Sequence, residues 1–209
     1  MANRIMRPAV IAVAIAGYAL LAHYTNTTPK NSNLGALTAI APLAFFALLL
    51  AWDSSRRYVM LAVLALAGLA VHSQWHAAEQ HFGLIYWLQD MGMQLTLLFT
   101  FGRTLIGAQK PLCVRFAEET HAPLSRKHEA YARKVTLAWT LFFAAMALTT
   151  TLLFFRAPLA IWSVFANFMT LPLIALMFIA EHRVRRRVLP EARDAHLLDA
   201  MRSFKKAAQ

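Results

Sequence analysis

Residues 99–121 read FTFGRTLIGAQKPLCVRFAEETH, and they divide the chain. The sequence is apolar up to Phe101, and then Arg103 and Thr104 open a mostly basic stretch over 102–134. Such a stretch between two apolar blocks reads as the largest loop on one face of a membrane. Arg103 then sits at the boundary, where its stem lies along lipid and its guanidinium reaches water.

The rest of the chain fits that reading. Of its 209 residues, 59% are hydrophobic and 15% are charged. Soluble domains carry about 45–50% and about 25%. The apolar excess falls in long blocks without Lys or Arg, which is the pattern of spanning helices. Six spans are expected, at about 8–24, 36–52, 58–75, 82–101, 135–155 and 159–180. A hydrocarbon core of about 30 Å needs about 20 helical residues. The last three blocks meet that, and the first two are at the short end. The third reaches it only by continuing to Trp75, which the preference of tryptophan for the interface favours.

The basic residues orient these spans. With the N-terminus inside, segments 1–7, 53–57, 102–134 and 181–209 hold nineteen of the 21 Lys and Arg, and the outer segments hold only Lys30 and Arg156. Lys and Arg concentrate on the cytoplasmic side of membrane proteins. The expected fold class is therefore all-α, a polytopic membrane protein of about six transmembrane helices with cytoplasmic N- and C-termini. One transmembrane domain covers 1–209, with a basic cytoplasmic loop at 102–134 and a basic cytoplasmic tail at 181–209. The net charge of +11 has the same origin. No helix-turn-helix, zinc or RNA-recognition pattern accompanies it, so no nucleic acid partner is expected.

Local signals refine the outline. Arg4 and Arg7 before an apolar run resemble a signal peptide, but no small-residue cleavage site follows, so an uncleaved first span is expected, with HYTNTTPKN as a loop. Pro111 suits the first position of a short interfacial helix on which Leu112, Cys113 and Phe116 share a face, with Arg115 and Glu118 elsewhere. Gly107 and Pro111 turn the chain before it. Pro123 breaks the chain and Ser125 caps the next helix, which starts below the membrane. Pro190 ends the extension of the sixth helix, and a short tail helix follows. Cys113 is the single cysteine, which excludes an intrachain disulfide and reads as a small apolar filler.

Three constellations are candidates for chemistry. Tyr86, Asp90 and Gln94 recur every four residues and share one helix face. Asp90 lies roughly 12 Å inside its helix, and Asn167 falls at about the same depth in the sixth. An acid within a span is a functional candidate, set against interhelical hydrogen bonding worth about 0.6–2 kcal/mol per bond. On the inner face, Arg103, Thr104, Arg115, Arg133, Lys134 and Arg183 form a candidate anion or head-group site, because guanidinium forks suit phosphate and carboxylate. The plainer alternative is attraction to anionic lipid heads, about 1 kcal/mol per cation. His72, His76 and Glu79 share a helical face but lack the Glu–His pairs of a metalloprotease, so no metal is expected. No Gly-rich phosphate loop, GxSxG elbow or paired carboxylates stand out. No cofactor is expected, and no catalytic residue is assigned.

The stretches LLFTFGRTLIGAQKPLCVRFA, YARKVTLAWTLFF and WSVFANFMTLPLIALMFIAEHRVRRR carry a resemblance across roughly residues 84–187. They resemble a family of bacterial inner-membrane proteins encoded among genes for aryl-polyene or xanthomonadin-type pigments. The matching residues include Phe101, Gly102, Arg103, Thr104, Pro111, Leu112, Arg115, Tyr131, Arg133, Thr136, Trp139, Phe142, Phe143 and Glu181. Asp90 lies outside the pattern. The resemblance implies an inner-membrane accessory of a type II fatty-acid-like pathway. It would dock carrier-bound acyl chains or hold the polyene product, with membrane lipids and an acyl carrier protein or other pathway enzymes as partners. Carrier proteins are acidic, so opposite potentials would steer their encounter with the basic face. Alternative readings are a small lipid or solute transporter using the polar stratum around Asp90, and a membrane acyl or head-group transferase.

Overall fold

A computed structural model describes residues 2–28, 32–106, 110–121 and 126–189. The described chain is helical, with no strand among the described residues. Its helices are α1 (Ala2–Thr27), α2 (Ser32–Asp53), α3 (Arg57–Ser73), α4 (Trp75–Gln80), α5 (Phe82–Gly102), α6 (Leu112–His121), α7 (Arg126–Arg156) and α8 (Leu159–Val188). Gly107, Pro123, Ser125, Pro190 and the tail beyond it lie outside the described residues.

Helix ends follow local chemistry. Pro158 disfavours helical backbone at Ala157, so α7 ends at Arg156. Pro158 then takes φ −55° and ψ 142°, and its carbonyl receives the N–H of Ile161 and Trp162 to restart the helix. Within α8, Phe165–Met169 forms a π turn. The third span does not continue to Trp75. α3 ends at Ser73, whose hydroxyl donates back to the Ala70 carbonyl at 2.8 Å. Gln74 takes φ −107° and ψ 22°, and Trp75 opens α4, where its indole N–H donates to Glu79 at 3.1 Å. The first helix runs the other way from expectation. It continues through Thr27 and takes up most of the segment read as a loop, because Thr25 and Asn26 bond the Ala22 carbonyl and are buried.

α2, α7 and α8 are long and apolar enough to cross a membrane. α3 is apolar but has 17 residues, none of them buried. α5 interrupts its apolar face with Gln89, Asp90 and Gln94. Large apolar side chains face outward along these helices, among them Trp52 at 72% exposure and Leu50 at 71%. In water such continuous exposure marks an interaction surface, and in a bilayer it is the solvated surface.

Contacts divide the chain into two compact units. Unit 1 comprises residues 1–93 and 147–169. Its core joins Ala22, Ala39, Tyr86 and Trp162, flanked by Phe82, Trp87 and Phe154. Small residues allow the helices to approach closely. A Cβ on Gly35 would lie 2.9 Å from the Phe82 ring, and one on Gly83 would lie 3.3 Å from Leu159. Contacts in this unit also set helix directions. Gly35 meets Phe82 and Ala39 meets Gln89, so α2 and α5 run parallel. Trp87 stacks on Phe154 and Asp90 bonds Thr150, so α5 and α7 run antiparallel. Asn26 bonds Ser163 and His23 packs on Phe168, so α1 and α8 run antiparallel.

Unit 2 comprises residues 94–146 and 170–209. Its core is aromatic. Trp139 stacks on Phe143 and meets Phe101 and Phe178. Gly102 lies against Thr140, where a Cβ would sit 3.3 Å from the threonine methyl.

Candidate functional site

Several groups of polar side chains bond within unit 1. Asp90 is half-buried on α5, and the Thr150 hydroxyl donates to its Oδ2 at 2.6 Å. The Trp162 indole N–H donates to the same hydroxyl at 2.9 Å. The three make a directed chain, indole to hydroxyl to carboxylate, with Thr150 and Trp162 buried. Tyr86 turns instead to Thr25, at 3.4 Å between hydroxyls. Gln94 is buried but belongs to unit 2. Asn167 bonds within its own helix, to the carbonyl and hydroxyl of Ser163 at 2.9 and 3.1 Å.

Ser163 is the second node. It has no exposed surface, and its Oγ lies 3.1 Å from His23 Nδ1. Asn26 and Asn167 both donate to that oxygen, at 3.4 and 3.1 Å. Two amide donors fill its lone pairs, so its own proton points to His23 Nδ1. A serine so enclosed offers no approach to an acyl substrate, and the group serves to tie α1 to α8. Asn26 Nδ2 is held on the Ala22 carbonyl and Ser163, and its Oδ1 is buried with no partner among the described residues.

Asp90 has the geometry of a packing residue, because its carboxylate accepts from a fixed hydroxyl. Asp90→Asn keeps an acceptor at that place. The substitution is expected to change stability by no more than about 1 kcal/mol, read as thermal unfolding in detergent. Complete loss of cellular function in a variant that folds normally would instead mark Asp90 as a proton or ion carrier.

On the basic side, Arg103, Arg115, Arg133, Lys134 and Arg183 are all exposed. Thr104 differs: it is buried, donates to the Phe101 carbonyl at 2.7 Å and accepts the Leu112 N–H at 3.0 Å. Thr136 repeats the device one residue on. It donates to the Ala132 carbonyl at 3.0 Å and accepts the Cys113 N–H at 3.2 Å. Two hydroxyls from neighbouring helices therefore satisfy the first amides of α6. Thr104 is a cap, and its hydroxyl is already committed within the protein. Pro111 stands just before α6, its carbonyl receiving the N–H of Val114 and Arg115. Over residues 112–116 of α6, Val114 is buried, Leu112 and Cys113 are half-buried and Phe116 is exposed.

Burial, chiefly, pushes the Cys113 thiol above its ordinary pKa, the Thr136 hydroxyl draws it partly back, and the nearby Glu181 raises it further. The thiol form is favoured, which does not suit a nucleophile. Tyr131 donates to the Glu181 carbonyl at 3.2 Å and lies 3.4 Å from its Oε1, and Arg185 Nε stands 3.7 Å from the same carboxylate oxygen. Sequence reasoning did not single out Thr136, Tyr131 and Glu181 as site residues. The signal was the pairing of polar side chains at the ends of two apolar helices, Tyr131 on α7 and Glu181 on α8. The break at Gln74 separates His72 on α3 from His76 and Glu79 on α4.

Searches for similarity to protein-family models, to curated proteins and to solved structures returned no match for this chain.

Proposed function

We propose that the protein is a six-span bacterial inner-membrane protein with both termini in the cytoplasm. It serves as an accessory of aryl-polyene-type, type II fatty-acid-like lipid and pigment biosynthesis. It docks carrier-bound acyl chains at its basic cytoplasmic face, or holds the polyene product between its helices. The observation that carries this reading is the charge distribution, nineteen of 21 Lys and Arg falling in the segments that a six-span arrangement with an inner N-terminus assigns to the cytoplasm. Helix directions support it, since α2 parallel to α5 and α5 antiparallel to α7 agree with alternating crossings. So does the clustering of residues that carry the resemblance: Phe101 on Trp139, Thr104 on Leu112, Tyr131 on Glu181.

The test is purification of the full chain from a pigment-producing host in mild detergent. The expected result is a conjugated-polyene absorbance or an acyl carrier protein that elutes with it. An empty protein that supports proton-coupled solute flux in liposomes would overturn the reading in favour of a transporter.

A further inference from the structure

The cations of unit 2 differ in height along their helices. α7 has 31 residues and α8 has 30, whereas a hydrocarbon core takes about 20. With spans at 135–155 and 159–180, residues 126–134 of α7 and 181–188 of α8 run on past the same membrane face. At about 1.5 Å per residue these extensions reach about 14 and about 12 Å. The head-group layer adds only about 5–8 Å on each side. Arg133, Lys134 and Arg183 fall within that layer. Arg126, Lys127, Arg186 and Arg187 stand near its outer limit or beyond it, and all four are exposed.

The extensions are fastened to each other. Tyr131 on α7 holds Glu181 on α8 by the contacts given above, and Thr136 fixes the start of α6 beside them. The acids within the two extensions are Glu129 and Glu181, and Glu181 is engaged by Tyr131 and Arg185. The far cations therefore face water as a net positive cluster on a held pair of helices. Attraction to anionic lipid falls off within a Debye length of about 8 Å, so the lipid surface holds these four less than the nearer three.

We infer that the paired ends of α7 and α8 are a docking post for an acidic face of a water-soluble protein. The inference rests on the topology and function proposed above and names where on the basic face the partner sits. Charge pairing of this kind steers encounter and weakens steeply with salt, and arginine adds bidentate bonds to carboxylates.

The experiment uses the full chain in nanodiscs of phosphatidylcholine alone, with purified phosphopantetheinylated acyl carrier protein as probe. Binding is measured by interferometry at low and high salt. The wild type is expected to bind, more weakly as salt rises. Arg126→Glu, Lys127→Glu, Arg186→Glu and Arg187→Glu together are expected to weaken binding at least about tenfold. The same four positions changed to Gln, which keeps exposed polar side chains, are expected to give an intermediate loss. Equal binding by the wild type and the reversal variant would leave these cations to the lipid surface and overturn the inference, while the proposed function stands. No carrier binding by the wild type would overturn both.

Discussion

Trp162→Ala is expected to cost about 3–5 kcal/mol, a large loss for a single substitution. Trp162 is 1% exposed and sits in the core of unit 1 against Phe154. Its removal empties a large enclosed space, and that term dominates. It also removes the donor that holds the Thr150 hydroxyl on Asp90. Trp162→Phe separates the two effects, since it keeps most of the ring volume and loses the N–H, for about 1 kcal/mol. Thermal unfolding in detergent reads both. An alanine variant as stable as the wild type would show that the indole neither fills the core nor orders the Asp90 group.

An all-or-none outcome is expected from topology reporters. Alkaline phosphatase fused after residue 120 should be inactive, because 102–134 lies in the cytoplasm under the proposed arrangement. The same enzyme fused after residue 28 or residue 157 should be active. The driving term is the Lys and Arg bias of the short loops, with seven such residues in 102–134 and one, Arg156, between the last two spans. Activity after residue 120 would reverse the assignment of faces and remove the basis for docking at this one.

Helix positions were legible in the sequence where composition changes abruptly. Arg103 after Phe101, and Pro158 after Arg156, mark real ends of α5 and α7. Ends made by side chains bonding their own backbone were less legible. Ser73 and Gln74 close α3 before Trp75, while Thr25 and Asn26 keep α1 helical where threonine and asparagine read as a loop. In a site, periodicity along one helix tells which residues share a face, not which partner meets them. Asp90 and Tyr86 share a face of α5 yet bond Thr150 and Thr25 on two different helices. Thr104 illustrates the same limit. Its neighbour Arg103 made it look like part of an anion site, and only the fold puts the Leu112 amide within reach of its hydroxyl.

The π turn at Phe165–Met169 has a consequence for the phase of α8. A π turn accommodates one residue more than the α-helical turn it replaces, and one residue is about 100° of rotation. Ser163 and Phe168, five residues apart, both meet the His23 ring. In a regular α-helix five residues turn through about 500°, which sets two side chains about 140° apart. The extra residue in the turn is what lets one face of the helix present both to the same imidazole. Recoiling this turn to α pitch at constant length would swing Phe168 away from His23 through more than a quarter of a circle.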